Sequence, residues 1–409
     1  MIKNNKCLIC SEEINKFMDF GNMPIANGFL NETEFDNEYF FRMETAFCIQ
    51  CKTFQLLNQP DATQMFHDNY AFFSGTSKYM EFHFEKYYNY IVDNFLQNKI
   101  NPFVIEIGSN DGILLKNFLK NNINHLGVEP SKNVHDLALK NKINSINLFF
   151  DQNTANDIVK KNGKADVFMA ANVMCHIPNI LSVVEGIDIL LKDDGIVVFE
   201  DPYLGDVIQN TTFDQIYDEH TFLFSAHSVI NIFKKFNFEL IDVLPQVTHG
   251  GSMRYILSRN NMHPKNDNVK KIIQKEISIG LTEKLTFEKF KKDCEAFKKN
   301  FKDLIGDIKS KGKTIAGFAA TSKSTTILNY CNIGIEEVDF ISDTTPLKQN
   351  KYSPGKHIPI RSYEYFCNNL PDYSILFAYN HYNEIMSKEK KFNNSNGKWI
   401  LYVPEIKIL

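Results

Sequence analysis

The stretch Phe103-Val104-Ile105-Glu106-Ile107-Gly108-Ser109-Asn110-Asp111-Gly112 constrains the fold more than any other. A short apolar run leads into a glycine, three small or polar residues follow, and Ile113, Leu114, Leu115, Phe118 and Leu119 continue at helical spacing after Gly112. This pattern predicts a buried parallel strand, a tight turn and a helix start. A glycine there lets backbone approach a ligand closely. A second predicted strand, Leu126-Gly127-Val128-Glu129, ends in an acid, and a carboxylate at that tip can accept both hydroxyls of a ribose. The glycine pattern falls short of Gly-x-Gly-x-x-Gly, which favours a smaller nucleoside ligand over a dinucleotide. An ordinary ligand-free βαβ turn would use the same residues.

The βα alternation continues through 165–172 and 195–203, which predicts a parallel sheet covered by helices on both faces. Asn172, His176, Glu200 and Tyr203 fall at or just beyond strand ends, where such sheets bind ligands. Beyond them lie Tyr217-Asp218-Glu219-His220 and His249-Gly250-Gly251-Ser252-Met253-Arg254.

Upstream, Cys7-Leu8-Ile9-Cys10 and Cys48-Ile49-Gln50-Cys51 form two Cys-x-x-Cys knuckles. Four thiolates suit tetrahedral zinc and leave no open coordination position, so the predicted metal is structural; free thiols or a redox pair are the alternatives. The segment 61–100 is expected to be helical and aromatic, with core tyrosines on one stripe and a small polar turn, Ser74–Ser77. A charged stretch, 268–311, reads as an amphipathic connector. Lys313–Phe318 then predicts a strand, with a hydroxyl-rich helix start at Thr321–Thr325 that suits a phosphate or is simply an ordinary cap.

The chain of 409 residues carries a formal charge of -4 with acids and bases interspersed. That argues against a nucleic-acid surface. With no long apolar run and no signal-peptide core, a cytoplasmic protein is expected, without a membrane partner.

Taken in order, these motifs and the C-terminal Lys348-Gln349-Asn350-Lys351-Tyr352-Ser353-Pro354-Gly355 resemble the zinc-containing sugar C-methyltransferases. Those enzymes place a branch methyl on C3 of a nucleotide-linked 4-keto-6-deoxy sugar. The resemblance implies a zinc-binding module over 1–60, a Rossmann-like methyltransferase domain over 61–265, a helical connector over 266–311 and a second α/β domain over 312–409. It also implies S-adenosylmethionine as cofactor and a nucleotide-sugar partner held between the central and C-terminal domains; a monomer is expected.

The candidate cofactor contacts are Glu106, Gly108, Asn110, Asp111, Glu129 and Asn172. The candidate substrate contacts are Tyr70, Tyr203, His249, Arg254, Lys323, Lys348 and Tyr352. His220 is the expected base, with His176 and His249 as rivals, Tyr217 as donor to an enolate oxygen and Glu219 as an orienting group. One position departs from the family pattern: Tyr70-Ala71-Phe72 stands where relatives often have Tyr-x-Tyr, so one hydroxyl is missing. An O- or N-methyltransferase and a non-catalytic zinc-stabilised scaffold are the other classes.

Overall fold

The computed structural model describes residues 2–3, 5–61, 65 and 78–409. Tyr70, Phe72 and the turn Ser74–Ser77 lie outside them.

Among the described residues, the central sheet has the spatial order Phe238–Gln246, Ser252–Arg259, Leu191–Pro202, Ala165–Ala171, Phe103–Ile107, Asn124–Val128 and Ser145–Ile146. Its strands run parallel from Leu191–Pro202 to Ser145–Ile146, and Ser252–Arg259 runs antiparallel to both of its neighbours. The inner strands Phe103–Ile107 and Ala165–Ala171 are almost wholly buried, as the predicted apolar runs require. The strand order reverses at Phe103–Ile107, which lies between its sequence successor Asn124–Val128 and the later strand Ala165–Ala171. A crevice therefore opens beyond Ile107, at the turn that begins with Gly108.

A second, smaller sheet has the order Ile360–Arg361, Phe340–Ser342, Ile315–Phe318, Tyr373–Leu376, Lys398–Leu401 and Lys407–Ile408, parallel except for the last pair. Its order reverses at Ile315–Phe318, so this crevice opens at the turn leading into Thr321.

The N-terminal module is an antiparallel sheet of Lys16–Pro24, Phe40–Cys48 and Thr53–Leu56, extended by Phe222–Leu223 from the far side of the chain. The charged stretch forms two helices, Asp267–Ser278 and Lys284–Ser310. The longer one buries Phe287, Phe290, Cys294, Phe301, Ile305 and Ile308 against the N-terminal and C-terminal units, and Phe287 stacks on Phe47 at 3.9 Å. Its outer face carries i,i+4 pairs such as Lys289–Asp293 at 2.6 Å. No helix among the described residues is long and apolar enough to cross a membrane.

Candidate active site

The two crevices open into one cavity of about 390 Å³. Gly108, Asn110, Glu129, Asn172, His176, Tyr217, Glu219, His220 and His249 line it from the central unit, and Thr321, Ser322, Lys323 and Lys348 from the C-terminal unit. Helix Lys78–Ile91 lays Tyr79, Met80 and Phe84 along it. Asn27 reaches it from the N-terminal module.

The cofactor end is built by the glycine turn. Gly108 has φ +58°, and a Cβ there would lie 2.4 Å from Val173 Cγ2, so only glycine fits. The Glu129 carboxylate accepts the backbone N–H of Asn110 at 2.9 Å and of Ser131 at 2.8 Å. Burial raises its pKa, and those two N–H groups partly offset the rise. Each carboxylate oxygen keeps a further lone pair, as a ribose diol requires. Asn172 Oδ1 meets no hydrogen-bond partner among the described residues and belongs to a residue lining the cavity. A shaped turn, a fixed carboxylate and an open acceptor fit an adenosine-bearing cofactor.

At the reacting end, the turn Tyr217–His220 closes with His220 N–H donating to Tyr217 O at 2.9 Å. Strand Phe222–Leu223 follows directly and pairs with Thr53–Leu56, which fixes the turn from behind. His220 Nδ1 lies 2.6 Å from Gln215 O. A carbonyl only accepts, so Nδ1 carries the proton and Nε2 keeps its lone pair. The rings of His220 and His176 stack at 5.3 Å, and the Tyr217 ring centroid is 4.0 Å from that of His220. Burial holds His220 well below the usual imidazole range, His176 near 3 and His249 near 4, so all three are neutral at pH 7.

The C-terminal wall carries the positive charge. Lys323 Nζ donates to His249 O at 2.9 Å; burial pulls its pKa down to about 8, against the pull of Asp214. Lys348 Nζ donates to Ala320 O at 2.8 Å. Thr321 caps helix Ser322–Cys331 reciprocally with Ser324, so the helix start faces the cavity in order.

Several sequence candidates lie away from this lining. Glu106 is inside its strand, where burial raises its pKa, and Asp111 is buried behind the turn. Tyr203 donates its hydroxyl to Glu276 Oε1 at 3.1 Å. Arg254 is held in a two-point pair with Glu200 Oε2 at 3.0 and 2.8 Å, its guanidinium 3.8 Å above the Tyr87 ring. Tyr352 bridges to Leu30 and meets the Phe35 ring edge-on at 5.0 Å. Tyr70 lies outside the described residues.

Other lining residues were not singled out from the sequence: Asn27, Thr248, Phe149, Phe377 and His381. Asn27 lies just past strand Lys16–Pro24, and nothing local marks its side chain as reaching the site.

Cys7, Cys10, Cys48 and Cys51 bring their sulfurs within 4.8 Å of one another, with Cys7–Cys51 at 3.4 Å and Cys10–Cys48 at 3.5 Å. A tetrahedral zinc with bonds of about 2.3 Å places its sulfurs about 3.8 Å apart, so the four thiols fit the ion.

Comparison with known families matches three models in succession. Residues 7–66 match "Putative zinc binding domain", 79–243 match "Methyltransferase domain" and 247–404 match "C-methyltransferase C-terminal domain". C-methyltransferase NovU of Streptomyces niveus is 29% identical over 410 residues, spanning 99% of this chain and 97% of the relative. Among solved structures, magnesium protoporphyrin IX methyltransferase of Synechocystis PCC 6803 with bound S-adenosylmethionine aligns at 11% identity, over 44% of this chain and 79% of that one, with a TM-score of 0.34. A Clostridium acetobutylicum S-adenosylmethionine-dependent methyltransferase aligns at 11% identity, over 45% and 93%, with a TM-score of 0.35. Overlaps this loose carry no argument about the chemistry.

Proposed function

We propose that this chain, an S-adenosylmethionine-dependent methyltransferase that matches a zinc binding domain model and a C-methyltransferase C-terminal domain model, methylates C3 of a nucleotide-linked 4-keto-6-deoxy sugar. One observation carries the reading: a nucleoside-type cradle, a neutral histidine with a fixed tautomer and two lysines share one cavity. Methylating carbon requires a carbanion equivalent, and a ketone at C4 acidifies the C3 proton. S-adenosylmethionine, when bound, supplies an electrophilic sulfonium methyl to that carbon.

The chain's own residues do the remaining work. Gly108 and Asn110 shape the cofactor crevice, and Glu129 accepts from the ribose hydroxyls. His220 takes the C3 proton on Nε2 while Nδ1–H stays on Gln215 O. Glu219, its Oε1 held by Asn27 Nδ2 at 2.7 Å in the same cavity, orients the sugar. Tyr217 donates to the enolate oxygen. Lys323 and Lys348 offer cationic ends to the substrate's diphosphate.

The test is mass spectrometry of products from a panel of nucleotide 4-keto-6-deoxy sugars and their 4-hydroxy counterparts, with S-adenosylmethionine present. A gain of one methyl on carbon, from keto sugars alone, is expected. Methylation of the reduced sugars on oxygen would overturn the reading.

A further inference from the structure

We propose that Cys175, His176 and His220 form a second, reversible site for a borderline-soft divalent cation such as Zn²⁺, and that filling it silences the enzyme. One ligand atom from each lies within 4.8 Å of the other two, so a single ion can reach all three with small adjustments. One thiolate and two imidazoles are a donor set that zinc accepts, with a fourth position left over. His176 and His220 line the cavity, so that fourth position opens toward it.

The surroundings are those of a built site. A ligating histidine normally donates its other N–H to a carbonyl or carboxylate, and His220 Nδ1 already faces Gln215 O at 2.6 Å. Behind the thiol stands Asp201, fully buried, whose carboxyl meets the Cys175 side chain and the backbone of Cys175 and Val173. It is an acceptor set back from the cavity lining, so it backs the ligand without occupying the ion's place. Binding replaces the Cys175 S–H proton with a sulfur–metal bond and releases the proton to solvent.

This site differs from the four-cysteine cluster in both donors and purpose. The four-sulfur site closes around its ion, whereas this one uses the lone pair assigned to proton abstraction. The silencing therefore rests on His220 being the base, but the binding does not.

The experiment uses the full-length protein with its four-cysteine site filled, dialysed against Zn²⁺ and separately against Cd²⁺. The expected result is one tightly held metal per chain plus one reversible equivalent. The reversible equivalent should bring a thiolate-to-metal charge-transfer band with Cd²⁺ and a loss of methyl transfer that a mild chelator restores. Cys175→Ala and Cys175→Ser should keep the basal activity, lose that band and weaken the reversible equivalent about tenfold or more. A single equivalent per chain, or a second one that both variants bind as wild type does, would overturn the proposal. If neither variant folds, the Cd²⁺ band of the second equivalent in the wild-type protein decides. Because metal counting and absorption need no substrate, failure here is distinguishable from failure of the methyl-transfer assignment.

Discussion

In the proposed reaction, His220 carries the proton transfer at the scale of a single side chain. Its Nδ1 is tied to a backbone carbonyl, so replacing it with asparagine should leave both ligands bound and remove only the proton acceptor. His220→Asn is therefore expected to lose about a hundred-fold or more in kcat with little change in KM, the usual size of general-base catalysis. In deuterated buffer without a methyl donor, wild type should wash deuterium into C3 of the keto sugar and the variant should not; exchange at the wild-type rate would move the base to His176 or His249. Lys323 supplies a pH signature. Its pKa is pulled down to about 8, so it is charged at pH 7 and loses that charge as pH rises through 8. KM for the anionic substrate should climb above pH 8, and Lys323→Met should raise KM at pH 7 and flatten the climb, as steady-state profiles would report.

At the scale of elements, the glycine turn and its two strands were legible in sequence because a short apolar run ending in glycine has few other uses. The cysteine knuckles were legible for the same reason: four thiols at that spacing have one common purpose. The strand Phe222–Leu223 was not legible. Two residues show no periodicity, and its partner Thr53–Leu56 lies far back in the chain. Substrate candidates at Tyr203, Arg254 and Tyr352 looked like site residues because they flank strand ends or basic loops. Sequence cannot reveal that a buried Glu276 or Glu200 takes the side chain away from the cavity. The zinc module makes its own prediction. Cys48 closes strand Phe40–Cys48, and its sulfur lies 3.5 Å from that of Cys10. Cys48→Ser should remove most of the one zinc expected per chain by elemental analysis and lower the melting temperature by several degrees. A metal-free variant that melts like wild type would refute a stabilising role.

Over the whole molecule, the cavity belongs to no single unit. The N-terminal segment at Ala26–Asn27 ties the other two together. Ala26 N–H donates to Asp218 Oδ1 at 2.8 Å, and Asn27 Nδ2 donates to Glu219 Oε1 at 2.7 Å. From the C-terminal helix, Thr325 Oγ1 donates to Ala26 O at 2.9 Å and Ser322 Oγ to Asn27 Oδ1 at 3.0 Å. None of this was visible in sequence, because local pattern carries no information about partners so distant. Losing a hydrogen bond to a carboxylate typically costs ~1.5–3 kcal/mol. Asn27→Ala should therefore lower kcat by roughly tenfold or more, with zinc content unchanged; full activity would leave the junction without a catalytic part.

The separation along the chain gives this junction a place in time. Ala26 and Thr325 are 299 positions apart, and Asn27 and Ser322 are 295 apart. During synthesis the first member of each pair leaves the ribosome long before the second exists. All four cysteines and the glycine turn at Gly108 are made well before the helix Ser322–Cys331, whose first residues supply the cavity's last wall. Chains that stop before that helix lack Thr321, Ser322, Lys323 and Lys348 from the cavity wall, so the last quarter of translation is the step that completes the chamber.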